Sequence, residues 1–176
     1  MQEAILNLFP FKFYLIWTDS GRLTKLQFEF NFDINSKIVS MSSSKVLNWI
    51  KNFYYAFLDY WNFKENCVKV PHQIAVTEFQ AAILNELKLL KIGEVITYKK
   101  LAEKIGFNKA YRAVGKVLAK NSLPLIYPCH RVIGTKGLTG YSQGLLIKQF
   151  LLYRELNYKF EAYGKNCVNI YRSFSL

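Results

Sequence analysis

The chain has 176 residues, 51% of them hydrophobic and 16% aromatic, which supplies enough apolar surface for a packed core and excludes general disorder. Lysine and arginine number 24 against 12 acidic residues, a formal charge of +12, so the expected partners are polyanions, nucleic acid before an anionic membrane. Apolar runs fall short of the roughly 20 residues that a membrane span needs, Met1-Gln2-Glu3 has no signal-peptide character, and Cys67, Cys129 and Cys167 are too scattered for a disulfide framework or a structural zinc site. Together these features predict a soluble cytoplasmic protein in a reducing compartment, with no metal and no membrane partner.

The first predicted elements are two β-rich runs, Phe11 to Trp17 and Leu23 to Phe30, joined by Asp19-Ser20-Gly21. Aromatic and β-branched residues on either side of turn residues predict a hairpin. Between Lys45 and Phe63, the apolar positions Val46, Ile50, Phe53, Tyr54 and Phe57 recur at helical spacing and predict an amphipathic helix. Residues 1–70 read as a small α/β unit. The character changes near Pro71, and residues 71–176 read as a second, mainly helical domain, so the fold class is α+β.

Thr77-Glu78-Phe79-Gln80 has the form of a capping box and opens a helix that buries Phe79, Ile83, Leu87 and Leu90 and stops at Gly93. Thr97 to Gly106 predicts a short helix, and a second runs from about Lys109 to Lys120, a helix-turn-helix spacing. Ala110, Val114, Val117 and Leu118 form the inward stripe of the second helix. Arg112, Gly115 and Ala119 leave another face nearly bare. A glycine inside a helix costs about 1 kcal/mol relative to alanine, so it implies close approach by something. Another helix of the same protein is one candidate and a DNA backbone the other. Lys99, Lys100, Lys104, Lys109, Lys116 and Lys120 nearby favour DNA.

Chemistry is concentrated in Pro128-Cys129-His130-Arg131-Val132. A cysteine beside a base and a cation is a candidate nucleophile, because neighbouring positive charge raises its thiolate fraction. Adjacent residues on an extended chain point opposite ways. A water held by His130 would then carry the proton, with a carboxylate orienting the imidazole.

This pentapeptide resembles the active-site signature of the O6-alkylguanine-DNA alkyltransferases, also called methylated-DNA–protein-cysteine methyltransferases. The resemblance runs over residues 93–155, through Gly93-Glu94-Val95-Ile96-Thr97-Tyr98, Arg112-Ala113-Val114-Gly115 and Gly140-Tyr141-Ser142-Gln143-Gly144. It implies an RNase H-like structural unit in residues 1–70 and, in residues 71–176, an alkyltransferase domain with a winged-helix-like helix-turn-helix. The implied activity is DNA repair by a monomer without a cofactor, in the cytoplasm and on the nucleoid in a prokaryote. An O6-alkylguanine in duplex DNA is flipped out, and its alkyl group passes once and irreversibly to Cys129.

Residue by residue, the resemblance implies a catalytic group of Cys129, His130, Glu155 and the hinge residue Asn121. Tyr98, Arg112, Ala113 and Gly115 would bind DNA and flip the base, with Arg112 filling the gap it leaves. Pro124, Val132, Tyr141 and Ser142 would form the pocket. On the residues alone, pairing of Glu155 with Lys159 one turn on is the favoured reading, and Tyr141-Ser142 between glycines reads first as a turn. The loop from Gly134 to Ser142 is one residue shorter than in some relatives, and Gln143 replaces a common small residue. The tail beyond Tyr158, with Lys159, Lys165 and Arg172, either packs back or aids DNA binding. Two competing functions remain: a lesion-binding protein without transfer activity, against which Cys129 speaks, and a helix-turn-helix regulator.

Overall fold

A computed structural model describes residues 1–31 and 44–163, and the predicted tail roles of Lys165 and Arg172, with Cys167, lie outside the described residues. The described chain is mixed α/β and divides into two compact units, residues 1–75 with 122–126, and residues 76–121 with the remainder from 127. No helix among the described residues is long and apolar enough to cross a membrane.

In the first unit, β1 (Gln2–Leu8), β2 (Phe11–Trp17) and β3 (Leu23–Phe30) form an antiparallel sheet in the order β1-β2-β3. The predicted hairpin is present at the expected residues, closed by bonds from Gly21 N to Thr18 O and Thr18 N to Arg22 O. Strand β2 alternates as its sequence requires, burying Phe11, Phe13, Leu15 and Trp17 on one face. Strand β1 is an addition to the sequence reading, which has no strand before Phe11.

Helix α1 (Ser44–Trp61) covers the buried face with Val46, Ile50, Phe53, Phe57 and Tyr60, spaced by four, three, four and three. Tyr54, expected on that stripe, is only half-buried. Phe13 meets Phe53 and Phe57 at ring distances of 5.2 and 4.9 Å, edge to face. Such pairs add about 0.5–1.5 kcal/mol beyond the area they bury, so the aromatic seam is the main tie between sheet and helix. Ser122–Ile126 joins this unit through Leu26 N to Ser122 O at 2.8 Å and Val68 N to Leu125 O at 3.0 Å.

The second unit opens on α2 (Glu78–Leu89), where Thr77 and Gln80 complete the capping box reciprocally; the helix ends at Leu89, short of the expected Gly93, and Phe79 on its first turn is only half-buried. Two-residue strands β4 (Ile96–Thr97) and β5 (Val132–Ile133) pair in parallel. Helix α3 (Tyr98–Lys104), capped by the Thr97 side chain, and α4 (Tyr111–Ala119) pack together across a turn containing Gly106. Helix α4 begins at Tyr111, about two residues later than its sequence suggests, and buries Val114 and Leu118. Helix α5 (Leu145–Tyr163) packs against the segment Cys129–Arg131.

Candidate active site

The short segment between the last buried residues of the first unit and β5 determines where the chemistry sits. Cys129 N donates to Tyr127 O at 2.7 Å and Arg131 N to Pro128 O at 3.1 Å, winding Cys129–Arg131 into a 3-10 turn. The extended backbone assumed from sequence is therefore replaced by a turn in which successive side chains diverge by about 120°. Cys129 and His130 still leave the backbone in different directions, for a different geometric reason.

His130 is completely buried, and its Nε2 lies 2.9 Å from Glu155 Oε1. Glu155 also accepts Arg131 Nε at 2.8 Å and Nη2 at 2.9 Å, with Gly93 N at 3.4 Å. The remaining arm of Arg131, Nη1, donates to Leu90 O at 2.7 Å. Burial alone would push the Glu155 carboxyl up, but His130 and Arg131 outweigh it and hold it well below the ordinary carboxylate range. An ionised carboxylate can only accept, so the ring proton belongs on Nε2. Burial also holds His130 below its ordinary value, despite the opposing pull of Glu155. The ring is then neutral near physiological pH. Its Nδ1 presents a lone pair, buried and without a hydrogen-bond partner among the described residues.

Cys129 is 4% exposed, and its Sγ accepts from Asn121 Nδ2 at 3.1 Å. The same amide donates to Tyr127 O at 2.9 Å, so Asn121 ties the end of α4 to the cysteine turn. Burial pushes the Cys129 thiol up to about 11, against the Asn121 bond and the charge of Lys148. This reverses the expectation that nearby cations would favour the thiolate. Desolvation of a buried sulfur anion outweighs them.

Lys148 was not read as a site residue. Fully buried on α5, its Nζ donates to Val132 O at 2.7 Å and Thr139 O at 2.9 Å. Burial lowers it to about 8, opposed by Cys129. The available signal was a lysine seven residues before Glu155, hence on the same helical face, flanked by Ile147 and Leu151. Arg131, expected as the cation beside the cysteine, is likewise buried and paired with Glu155.

A cleft of about 880 Å³ opens beside Cys129. On α4 its lining is Tyr111, Gly115, Leu118 and Ala119, faced by Tyr98, Tyr141 and Ser142. A Cβ added at Gly115 would meet Tyr98 at 3.9 Å, an ordinary contact. Packing within the protein therefore does not demand this glycine. Tyr141 stands edge to face with His130 at 6.4 Å between centroids.

Other expected residues lie elsewhere. Arg112 and Ala113 are exposed and do not line the cleft, and the Arg112 guanidinium lies 5.9 Å from the centre of the Tyr111 ring. Val132 is buried outside the lining, with its carbonyl on Lys148. Pro124 is buried within the first unit and is also not part of the lining. Glu155 has its partners in His130 and Arg131, while the Lys159 side chain lies outside the described residues. Among the described residues no group of three His, Cys, Asp or Glu could hold a metal ion.

The family model described as "6-O-methylguanine DNA methyltransferase, DNA binding domain" matches residues 78–157. A methylated-DNA–protein-cysteine methyltransferase of Methanocaldococcus jannaschii is 38% identical over 129 residues, 72% of this chain and 74% of that protein. One from Methanosarcina acetivorans is 53% identical over 77 residues, 43% of this chain and 49% of the relative. The chain spans about half the length of several curated relatives that it matches. In fold, it is similar to Mycobacterium tuberculosis OGT in complex with DNA, with a TM-score of 0.71 at 23% identity over 97% of this chain and 99% of that one.

Proposed function

We propose, starting from the fact that the chain belongs to the methylated-DNA–protein-cysteine methyltransferase family, that it repairs O6-alkylguanine in duplex DNA by transferring the alkyl group to its own Cys129. The observation that carries this reading is the buried relay itself, a cysteine held by Asn121 next to a neutral His130 whose tautomer is set by Glu155. Such an arrangement has a nucleophile, a base and an orienting carboxylate in named places.

In the proposed step a water bridging Cys129 Sγ and His130 Nδ1 takes the thiol proton toward the imidazole. The sulfur attacks the alkyl carbon as the bond from carbon to O6 breaks. Guanine leaves and takes up one proton, so the overall exchange is neutral. The buried thiol holds its proton until substrate fills the cleft, and Lys148 contributes positive charge toward the developing thiolate. A thioether has no leaving group for a second turnover, so each molecule acts once.

The remaining assignments follow the same reading. Tyr98 presses on the target phosphate and hydrogen-bonds the base, and Arg112 enters the gap the base leaves. The bare surface at Ala113 and Gly115 allows the backbone to approach α4, used as the second helix of a winged-helix-like helix-turn-helix in the minor groove. In this reading Tyr141 and Ser142 line the pocket for the extruded base. Residues 1–70 serve as an RNase H-like structural unit and 71–176 as the DNA-binding and alkyltransferase domain, acting as a monomer in the cytoplasm.

The test is intact and peptide mass spectrometry after mixing with a duplex carrying O6-methylguanine. One methyl on the Cys129 peptide per guanine restored is the expected result. Selective binding of the damaged duplex without mass change would replace transfer by lesion recognition. No binding preference would remove both.

A further inference from the structure

The cleft-facing stripe of α4 differs from the one that sequence alone suggests. Its members are Tyr111, Gly115, Leu118 and Ala119, separated by four, three and one residues, and three of them are small or buried. Tyr111 is the exception. It stands on the first turn of α4, is 45% exposed, and lines the same cleft as Cys129. An aromatic ring left this open has given up hydrophobic burial that its size would otherwise provide.

Three features specify what the ring is placed to meet. The Arg112 guanidinium lies 5.9 Å from its centroid, within the range of a cation–π contact. Lys99, also lining the cleft, puts a second positive charge at the mouth. A flat apolar face bordered by cations matches a nucleoside, which has a π-face and an adjacent phosphate. A peptide or an aliphatic ligand would use the ring but not the charges.

We propose that Tyr111 is a further nucleotide-contact residue of this site: its ring forms the outer wall of the cleft, receives the flat face of a nucleoside as it leaves the duplex, and holds the Arg112 guanidinium beside it. This rests on the reading of the cleft as the place where an extruded nucleotide is held. The hydroxyl is not needed for stacking, so phenylalanine serves in its place and alanine does not.

The experiment compares wild type, Tyr111→Phe and Tyr111→Ala in two assays. One is fluorescence-anisotropy binding to a duplex with a single extrahelical 2-aminopurine, with the fully paired duplex as reference. The other is the second-order rate of alkyl transfer from duplex O6-methylguanine and from free O6-benzylguanine. Alanine is expected to weaken binding of the extrahelical duplex and to slow duplex transfer about 5- to 150-fold, the span of losing one base–aromatic stack. The Phe variant should stay within about 2-fold, since the stacking face is kept.

Reaction with free O6-benzylguanine should fall less than duplex transfer in Tyr111→Ala, because that base reaches the cleft without being drawn from a duplex. Equal loss on the free base and the duplex would assign Tyr111 to packing and overturn the proposal. An Ala variant that binds and reacts like wild type would also overturn it. Should wild type transfer no alkyl group at all, the alkyltransferase reading fails separately. The 2-aminopurine binding difference between Tyr111→Ala and wild type still decides the role of the ring.

Discussion

Replacing Glu155 by glutamine tests the buried relay at its most connected point. The carboxylate accepts from His130 Nε2, two nitrogens of Arg131 and the Gly93 amide, and it is 1% exposed. Glutamine keeps the volume but replaces one accepting oxygen with an NH₂ group, which must face either His130 or Arg131. In each case a buried cation loses its compensating charge. Breaking a buried pair in this way costs about 3–5 kcal/mol, well above the typical effect of a surface substitution.

The pH dependence gives a second signature. Glu155 is held below its ordinary value of 4.5, so its contribution is complete above 4.5 and is lost as pH falls toward the folded value. Glutamine does not titrate there. The stability gap between wild type and Glu155→Gln should therefore be widest near neutrality and close in acid. His130, lowered from 6.5 by burial, loses stability in the same direction but from a higher starting pH. Urea unfolding across this range measures both. A gap of less than about 1 kcal/mol at neutral pH, or one that does not shrink in acid, would refute the relay as described.

Lys148→Met removes the charge that opposes desolvation of Cys129, so iodoacetamide alkylation of Cys129 should slow at pH values below about 8, where wild-type Lys148 keeps its proton, and the two proteins should converge above it; equal rates below that pH would exclude the coupling. Arg112→Ala should slow transfer from duplex O6-methylguanine by about 10-fold or more, the effect of losing 1.4 kcal/mol in the barrier, with little effect on free O6-benzylguanine. Equal slowing of both would end the case for an inserted arginine. Gly21→Ala places a Cβ at 2.5 Å from Trp49 Nε1 on a backbone with φ +80°, so thermal melting should show a loss of about 1–2 kcal/mol from the backbone alone, and an unchanged melting temperature would refute this account of the turn.

Local patterns were legible wherever neighbouring residues alone decide the geometry. The hairpin strands, the capping box at Thr77 and Gln80, and the burial stripe of α1 through Phe57 all follow from short-range spacing. Strand β1 did not, because Gln2–Leu8 has only a partial alternation and gains its order from pairing with β2. Similarly, β4 and β5 contain two residues each, too few for any periodic signal, and form through a pairing across 36 positions of sequence, Ile96 with Val132.

The family resemblance and the identities of Cys129, His130, Asn121 and Glu155 as candidates could be read from the chain itself. That Glu155 meets His130 from 25 residues away could be expected only through the resemblance, since its local spacing points to Lys159 instead. Burial decided the rest. Desolvation depends on what surrounds an atom in three dimensions, so no local motif could reveal that Cys129 would hold its proton, that Arg131 would be enclosed with Glu155, or that Lys148 would be drawn onto two carbonyls. The sequence by itself determined which groups were available for chemistry, because reactivity begins with residue type. Only the tertiary structure decided which of them are dry, which are paired and which face the cleft, because solvation and contact are properties of the folded surroundings.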